Sequence, residues 1–248
     1  MAEGWRILRM TLYKWRHSWL WPLHLGAVGL AIALGLAYTA FFDATAFVGW
    51  SFFLELLAMA FPLVIAGLSA MVAEDEMAAG GGQWLLMQPR RLLALFVPGA
   101  VLLFGGWLAT TASILGYDGL MTQFWEASLS VAACLKMATL LWLGEVIVYG
   151  WQLFLALRFG RTVTLTVGAV GTLLAALMQT GMGDGLWPFI PYGWGGRLML
   201  AAFAQALGAP VVNFCELQLG LFLCILFTCG MRGVLGVWFS RWGGQRSD

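Results

Sequence analysis

The chain has 248 residues, of which 61% are hydrophobic and 10% are charged. A soluble domain has roughly half apolar and a quarter charged residues, so this composition excludes a water-solvated fold and makes lipid the expected solvent. The formal net charge of +1 excludes the concentrated cationic surface that nucleic-acid binding requires. We therefore expect residues 1–248 to form a single all-α integral membrane domain.

The first predicted element is an amphipathic helix that precedes the first apolar run. Its apolar face is formed by Trp5, Leu8, Leu12, Trp15 and Trp19, which recur at steps of three and four residues. Basic side chains flank this face and can reach lipid phosphates, so the pattern predicts an interfacial helix on the cytoplasmic leaflet. The alternative is that these residues begin one long first spanning helix. No signal-peptide cleavage site is recognisable, so we expect this segment to be retained.

Six apolar runs follow, each long enough to cross the roughly 30 Å hydrocarbon core, which takes about 20 helical residues. Open strand edges would leave backbone groups unpaired in lipid, so these runs are expected to be helices. The predicted spans are residues 20–42, 46–73, 92–116, 129–157, 162–182 and 213–239.

Charge asymmetry sets the expected orientation of a six-span bundle. The cations that fall on one side are Arg6, Arg9, Lys14, Arg16, Arg90, Arg91, Arg158, Arg161, Arg241 and Arg246. The opposite connections hold Asp43, Asp118, Glu126 and Asp184, with Arg197 as the clear cation. By the positive-inside rule, both termini are predicted to be cytoplasmic. The expected location is a plasma membrane, most simply a bacterial one.

The connection between the second and third spans has an unusual layout of acidic cluster, glycine hinge, short apolar turn, proline and basic pair. Its candidate docking residues are Glu74, Asp75, Glu76, Gly80, Gln83, Trp84, Leu85, Leu86, Pro89, Arg90 and Arg91. Glycine permits a sharp change of direction, proline ends the short helix, and the basic pair anchors the next span at the headgroups. The layout predicts an apolar turn presented to a partner's groove. A solvated loop with one membrane-dipping turn is the alternative.

The outer segment before the sixth span, residues 183–210, is too broken by Gly and Pro to cross the membrane and too apolar to be free in water. Its candidate residues are Trp187, Pro188, Pro191, Tyr192, Trp194 and Arg197. Aromatic rings beside proline turns predict a re-entrant segment in the outer interface, with a short helix over residues 197–207. An aromatic belt that only fixes membrane depth is the other interpretation.

Ionisable residues inside the spans are candidates for a functional or structural role. Glu55, Lys136 and Glu145 lie within spans, and Glu216 begins the sixth. A charge at mid-helix costs about 2.5–3.5 kcal/mol, so each is expected to face protein or water and to have a partner. Lys136 and Glu55 are both expected in the outer half, where an interhelical pair is plausible. Such residues either lock the bundle, which we favour, or line a polar cavity.

Several catalytic motifs are missing from the sequence. Lys14 and Lys136 are the two lysines, and neither stands in the Gly-Lys-Ser/Thr sequence of a phosphate-binding loop. His17 and His24 lack metalloprotease spacing, and no GxSxG elbow occurs. We therefore expect no enzyme activity, metal or cofactor on this chain itself.

Residues 74–91 resemble the coupling region of permease subunits of ABC-2-type ABC transporters. The matching residues are Glu76, Gly80, Leu85, Leu86, Pro89 and Arg90. The interfacial helix, six spans and re-entrant outer segment extend the likeness along nearly the whole chain. The resemblance implies a coupling helix that docks on a separate ATP-binding subunit, which would hold the ATP and Mg²⁺. The chain departs from the family pattern in its three successive glycines and in lacking an arginine beside the glutamate.

The small size, the tryptophan content and residues 188–192 are most similar to lantibiotic-immunity permeases. That likeness implies a heterodimer with a second, related permease, two ATP-binding subunits, and expulsion of an amphipathic peptide from the membrane. Three alternatives stay open: export of another drug or lipid-like molecule, a membrane-embedded enzyme with Glu145 or Glu55 as base, and a sensor or scaffold subunit.

Overall fold

A computed structural model describes residues 2–78, 81–210 and 213–244. These residues form α-helices, two short 3-10 turns and connections, with no β-strand among them. The helices within the described ranges are α1 (Ala2–Arg16), α2 (Leu20–Phe41), α3 (Ala46–Ala78), α4 (Gln83–Leu86), α5 (Arg91–Trp125), α6 (Val131–Phe159), α7 (Arg161–Gln179), α8 (Pro191–Ala206) and α9 (Phe214–Arg241).

Six of the described helices, α2, α3, α5, α6, α7 and α9, are long and apolar enough to cross a membrane. The chain is an all-α, multi-pass membrane protein, and the six predicted spans are confirmed. The largest difference in bounds is at α5, which continues to Trp125 instead of ending at residue 116. Asp118, expected in the following loop, lies inside α5 and accepts a hydrogen bond from the Leu129 N–H at 2.8 Å.

The interior of the bundle depends on close approach between helices. α3 packs extensively on α7, and α6 packs extensively on α8. At the α3–α7 contact, a Cβ atom on Gly168 would overlap the Cβ of Ala66 and lie 3.3 Å from the Pro62 carbonyl oxygen. Small residues at such contacts let helix backbones approach closely, which is how membrane helices gain packing energy without a hydrophobic drive between them.

The helix before the first span is separate from it. A turn at residues 17–19 divides α1 from α2, so the two are not one long helix. α1 packs on α5 through one edge, where Ile7 and Trp15 are buried. Trp5 and Leu12 on the predicted apolar face remain exposed. Part of the apolar face of α1 is therefore buried against the bundle, and the other part is exposed at the surface of the protein.

The segment before α9 folds back against the bundle. Two 3-10 turns, Gly181–Gly183 and Trp187–Phe189, lead into α8. This helix begins at Pro191, earlier than the predicted 197, because proline suits the first turn of a helix. Its 16 residues give a length of about 24 Å, short of the hydrocarbon thickness. α8 packs against α6, α7 and α3 and is too short to cross the membrane beside them.

Candidate functional sites

The first candidate site is the segment of residues 74–91, and α1 holds it in place through Lys14. The Lys14 Nζ lies 2.5 Å from Glu76 Oε1 and 4.6 Å from the centre of the Trp84 ring. The Glu76 side chain is 8% exposed, against 37% for Lys14. A single cation thus connects α1 to the end of α3 and to α4. The sequence did not mark Lys14 as a site residue, although the two basic residues in the last turn of the amphipathic helix, Lys14 and Arg16, were a usable signal.

Two further contacts join α1 to the same segment. Glu3 Oε1 accepts a hydrogen bond from the Arg90 backbone N–H at 3.3 Å, and its carboxylate lies 3.8 Å from Arg90 Nε. Arg6 donates to Gln88 Oε1 at 3.3 Å. α1 therefore contacts the segment on both sides of α4. Glu3 and Gln88 were not among the predicted site residues.

The acidic cluster at the end of α3 is divided between internal and external roles. Glu76 pairs with Lys14, and Glu74 lies 3.7 Å from Arg161 at the start of α7. Asp75 is exposed. Asp75 is thus the carboxylate of the cluster that is open to an external partner.

The glycine hinge makes the turn into α4. Gly81 and Gly82 adopt positive φ values of 63° and 79°, which glycine reaches without the penalty that a Cβ imposes. A Cβ on Gly82 would also lie 2.9 Å from the Trp242 ring. Gly80, the first residue of the predicted hinge, lies outside the described residues.

The short predicted helix forms as α4, but its central leucine points into the protein. Leu85 is 3% exposed and belongs to a buried cluster. That cluster contains Ala73 of α3, Ala94 of α5, Ala156 of α6 and Phe239 of α9. The prediction that the apolar turn is presented outward is wrong for Leu85, because spanning helices of its own chain supply the groove.

The exposed part of the segment lies around α4. Met87 is 80% exposed, and Gln83, Pro89 and Arg91 are also exposed, whereas Trp84 and Leu86 are half-buried. We call Asp75, Gln83, Met87 and Pro89 the exposed rim. Met87 was not predicted as a site residue, although it directly follows the Leu-Leu pair.

At the opposite end of the bundle, the predicted aromatic residues are structural contacts. Trp187 is buried over Gly220 of α9, where a Cβ would overlap the indole ring. Its Nε1 donates to Glu216 Oε2 at 3.1 Å. Trp194 is fully buried, and its Nε1 donates to the Pro188 carbonyl oxygen at 2.8 Å. The Trp187 contacts fasten the segment to α9, and the Trp194 hydrogen bond joins α8 to the 3-10 turn that precedes it.

Arg197 of α8 binds the end of α7. Its Nε donates to the Met178 carbonyl oxygen at 2.5 Å, and its second nitrogen donates to the Thr180 carbonyl oxygen at 2.8 Å. It also forms an ion pair with Asp184 at 2.8 Å. A cation at a helix C-terminus satisfies the last carbonyls and complements the helix dipole.

The predicted pair between Lys136 and Glu55 does not form. Lys136 Nζ donates instead to Gln205 Oε1 of α8 at 2.6 Å. Glu55 is exposed on α3 and has no ion pair among the described residues. The pair does not form because α8 lies along α6 and brings the neutral side chain of Gln205 to Lys136 as a hydrogen-bond acceptor.

Glu145 carries the most enclosed carboxyl group of the described chain. It is fully buried, and its carboxyl oxygens have no hydrogen-bond partner within the described ranges. A Cβ on Gly195 of α8 would lie 2.9 Å from Glu145 Oε1. Gln152, two turns further along α6, is likewise buried without a partner there. The expected partner for Glu145 is therefore not found among the described residues.

The sequence reasoning missed a charged residue inside the sixth span. Arg232 lies within α9 and lines two cavities between α9 and helices α5 and α6. Its charge inside the predicted span 213–239 was a sufficient signal.

Comparisons with protein-family models, curated proteins and solved structures give no match to this chain.

Proposed function

We propose that the chain is the permease subunit of an ABC exporter that expels an amphipathic, lantibiotic-like peptide from the membrane. A separate ATP-binding subunit supplies the energy, and a second, related permease completes the membrane part. Two features support this proposal: the six-span architecture and the resemblance of residues 74–91 to the coupling region of ABC-2-type permeases.

The observation that carries the proposal is the position of Leu85. Its side chain lies in a buried cluster shared by α3, α5, α6 and α9, while Met87, two residues later, is 80% exposed. A partner that binds the exposed rim therefore acts on a short helix that is packed against four spanning helices. Because packed interiors transmit displacement instead of absorbing it, movement of α4 would reach all four.

The contacts of α1 support the same mechanism. Lys14 binds Glu76 and lies over Trp84, so α1 moves with the segment that contacts the partner. In the proposed orientation, α1 and the exposed rim face the cytoplasm, where ATP is available. Binding of ATP would draw two ATP-binding subunits together and tilt the spans through these contacts.

Substitutions in the exposed rim test the docking step. We expect Met87→Asp to lower co-purification of a P-loop ATPase that is encoded beside the gene and co-expressed with the chain. Met182→Asp is the matched control, because Met182 is 70% exposed in the 3-10 turn at the other end of the bundle. Normal ATPase recovery and normal export in the Met87→Asp variant would overturn the proposal.

The substrate is tested separately in cells that express both permeases and the ATPase. We expect these cells to tolerate several-fold more of an amphipathic antimicrobial peptide than cells whose ATPase lacks its P-loop lysine. Equal tolerance, with intact assembly and ATPase activity, would exclude the peptide substrate and leave export of another drug or lipid-like molecule.

A further inference from the structure

The fully buried residues of α9 fall into two groups, one toward each end of the helix. Gly220 and Cys224 are buried near its start, and Leu235 and Phe239 are buried near its end. Cys224 and Leu235 are separated by about three turns, or roughly 16 Å. No residue of α9 between these two is buried. Between these two, Phe227 and Met231 still contact the bundle, but the packing leaves open space beside the helix.

The space left behind this part of α9 is a continuous groove. It consists of two adjoining cavities of about 350 Å³ and 760 Å³ between α9 and helices α5 and α6. Both cavities are lined by Ala100, Leu103, Val146, Thr228 and Arg232. We call this space the α9 groove.

Arg232 is the charged residue of the α9 groove. It is exposed, and it has no ion pair or hydrogen bond within the part of the chain that the structure describes. Thr228, one turn earlier on the same face, has a buried hydroxyl that interacts with the Cys224 thiol. A guanidinium at this depth is costly unless an anion or water accompanies it. The groove thus places one charged, unused group of hydrogen-bond donors, the Arg232 guanidinium, at the junction of its cavities.

The remainder of the groove is apolar, including its aromatic residues. The Trp107 indole N–H donates to Thr139 Oγ1 at 3.3 Å, and that of Trp142 donates to the Leu103 carbonyl oxygen at 2.8 Å. Both indole donors are therefore already used within the protein. A ligand that lies along this part of the groove meets apolar surface and needs no polar groups of its own.

We propose that the α9 groove binds an anionic phospholipid from the membrane leaflet at the α1 end of the bundle. Arg232 holds the phosphate by charge-assisted hydrogen bonds, and an acyl chain lies along the groove toward Trp107. Arginine suits phosphate because its planar fork donates two parallel hydrogen bonds. Arg232 is nine residues before Arg241, which places it about 13 Å along α9 from that end. A phosphate at Arg232 is therefore drawn inward from the headgroup level. This site does not depend on the transport function proposed above.

The test is lipid retention by the purified chain, measured by native mass spectrometry. Phosphatidylglycerol and phosphatidylcholine with the same acyl chains are titrated separately. We expect the chain to retain phosphatidylglycerol about tenfold more strongly, the factor that one charged hydrogen bond provides. Arg232→Met should abolish this preference, while Arg232→Lys should keep part of it.

Two control variants separate the groove from general lipid contact. Arg241→Met removes another cation of α9 that does not line the groove, and we expect the preference to be unchanged. Ala100→Trp fills the junction of the cavities without changing the charge, and we expect it to lower retention of both lipids. Thermal unfolding without added lipid verifies that each variant is folded.

Two results would overturn the proposal. In the first, Arg232→Met keeps the lipid preference or Arg241→Met loses it, which would show that the lipid binds around the protein in general. In the second, Arg232→Met leaves lipid retention unchanged but dissociates an assembly of two chains. The groove would then be a contact between two copies of this chain, with a carboxylate of the partner opposite Arg232.

Discussion

Gly144 of α6 and Gly195 of α8 meet so closely that a Cβ atom on Gly144 would overlap the backbone N and Cα of Gly195. The contact lies directly beside the buried carboxyl of Glu145. Neither glycine has a positive φ, so the requirement is for space and not for an unusual backbone conformation. This contact sets the distance between α6 and α8, and with it the enclosure of Glu145.

Alanine at this contact is therefore expected to destabilise the chain. We predict that Gly144→Ala lowers the free energy of unfolding by about 2–3 kcal/mol, since overpacking forces the two backbones apart. Thermal or denaturant-induced unfolding in detergent measures the change. Gly29→Ala is the control, because a Cβ there meets nothing within 4 Å and helix propensity favours alanine by roughly 1 kcal/mol. Equal stability of the two variants would contradict the close contact.

The Lys14–Glu76 pair is expected to stabilise the docking of α1. Lys14→Met leaves a nearly buried carboxylate without its cation, and we predict a loss of about 1–2 kcal/mol, between the values for exposed and buried pairs. Glu76→Gln in the same background should recover part of this loss because it removes the unpaired charge. A double-mutant cycle on unfolding gives the coupling energy.

A matched control for that pair is present at Glu74, another carboxylate of the cluster. Glu74 and Arg161 are 3.7 Å apart with side chains that are 41% and 64% exposed. Arg161→Gln is expected to cost less than about 1 kcal/mol, as exposed ion pairs do. If Arg161→Gln lowered the free energy of unfolding more than Lys14→Met does, the assignment of Lys14 as the main connection would be wrong.

Arg197 is expected to hold α8 against the end of α7. We predict that Arg197→Met lowers the free energy of unfolding by about 2–3 kcal/mol, because charged hydrogen bonds to two carbonyl oxygens are lost. Asp184→Asn removes only the ion pair, in which the aspartate side chain is 60% exposed, and should cost at most about 1 kcal/mol. Comparing the unfolding of both variants distinguishes a helix-end contact from a simple surface ion pair.

The proposed orientation predicts which native cysteine is labelled from outside the cell. Cys215 is exposed at the start of α9, on the side opposite α1. We expect a membrane-impermeant maleimide to label it in intact cells and to lose that labelling in a Cys215→Ser variant. A cysteine introduced as Asp75→Cys should react only after the cells are permeabilised. The reverse pattern would invert the topology.

The sequence by itself determined the number and class of the membrane helices. Hydropathy is a local property, because each run of about 20 residues must match the lipid around it regardless of its neighbours. The separate α1 and the short α4 followed from equally local signals, namely helical periodicity, glycine and proline. The ends of the helices were less certain. At α5, no strong stop signal precedes Glu126, the residue that ends the helix in a left-handed conformation with φ 52°.

The tertiary structure decided which residues meet. Lys136 contacts Gln205 and not Glu55 because α8 lies along α6, and Leu85 turns inward because four spanning helices of the same chain form its groove. The groove beside the middle of α9, around Arg232, is another property of packing that hydropathy does not contain. Each of these outcomes depends on how helices distant in the sequence rotate and approach one another. In lipid, where apolar faces are satisfied by neighbouring helices or by acyl chains, side-chain shape and close backbone contact determine that arrangement.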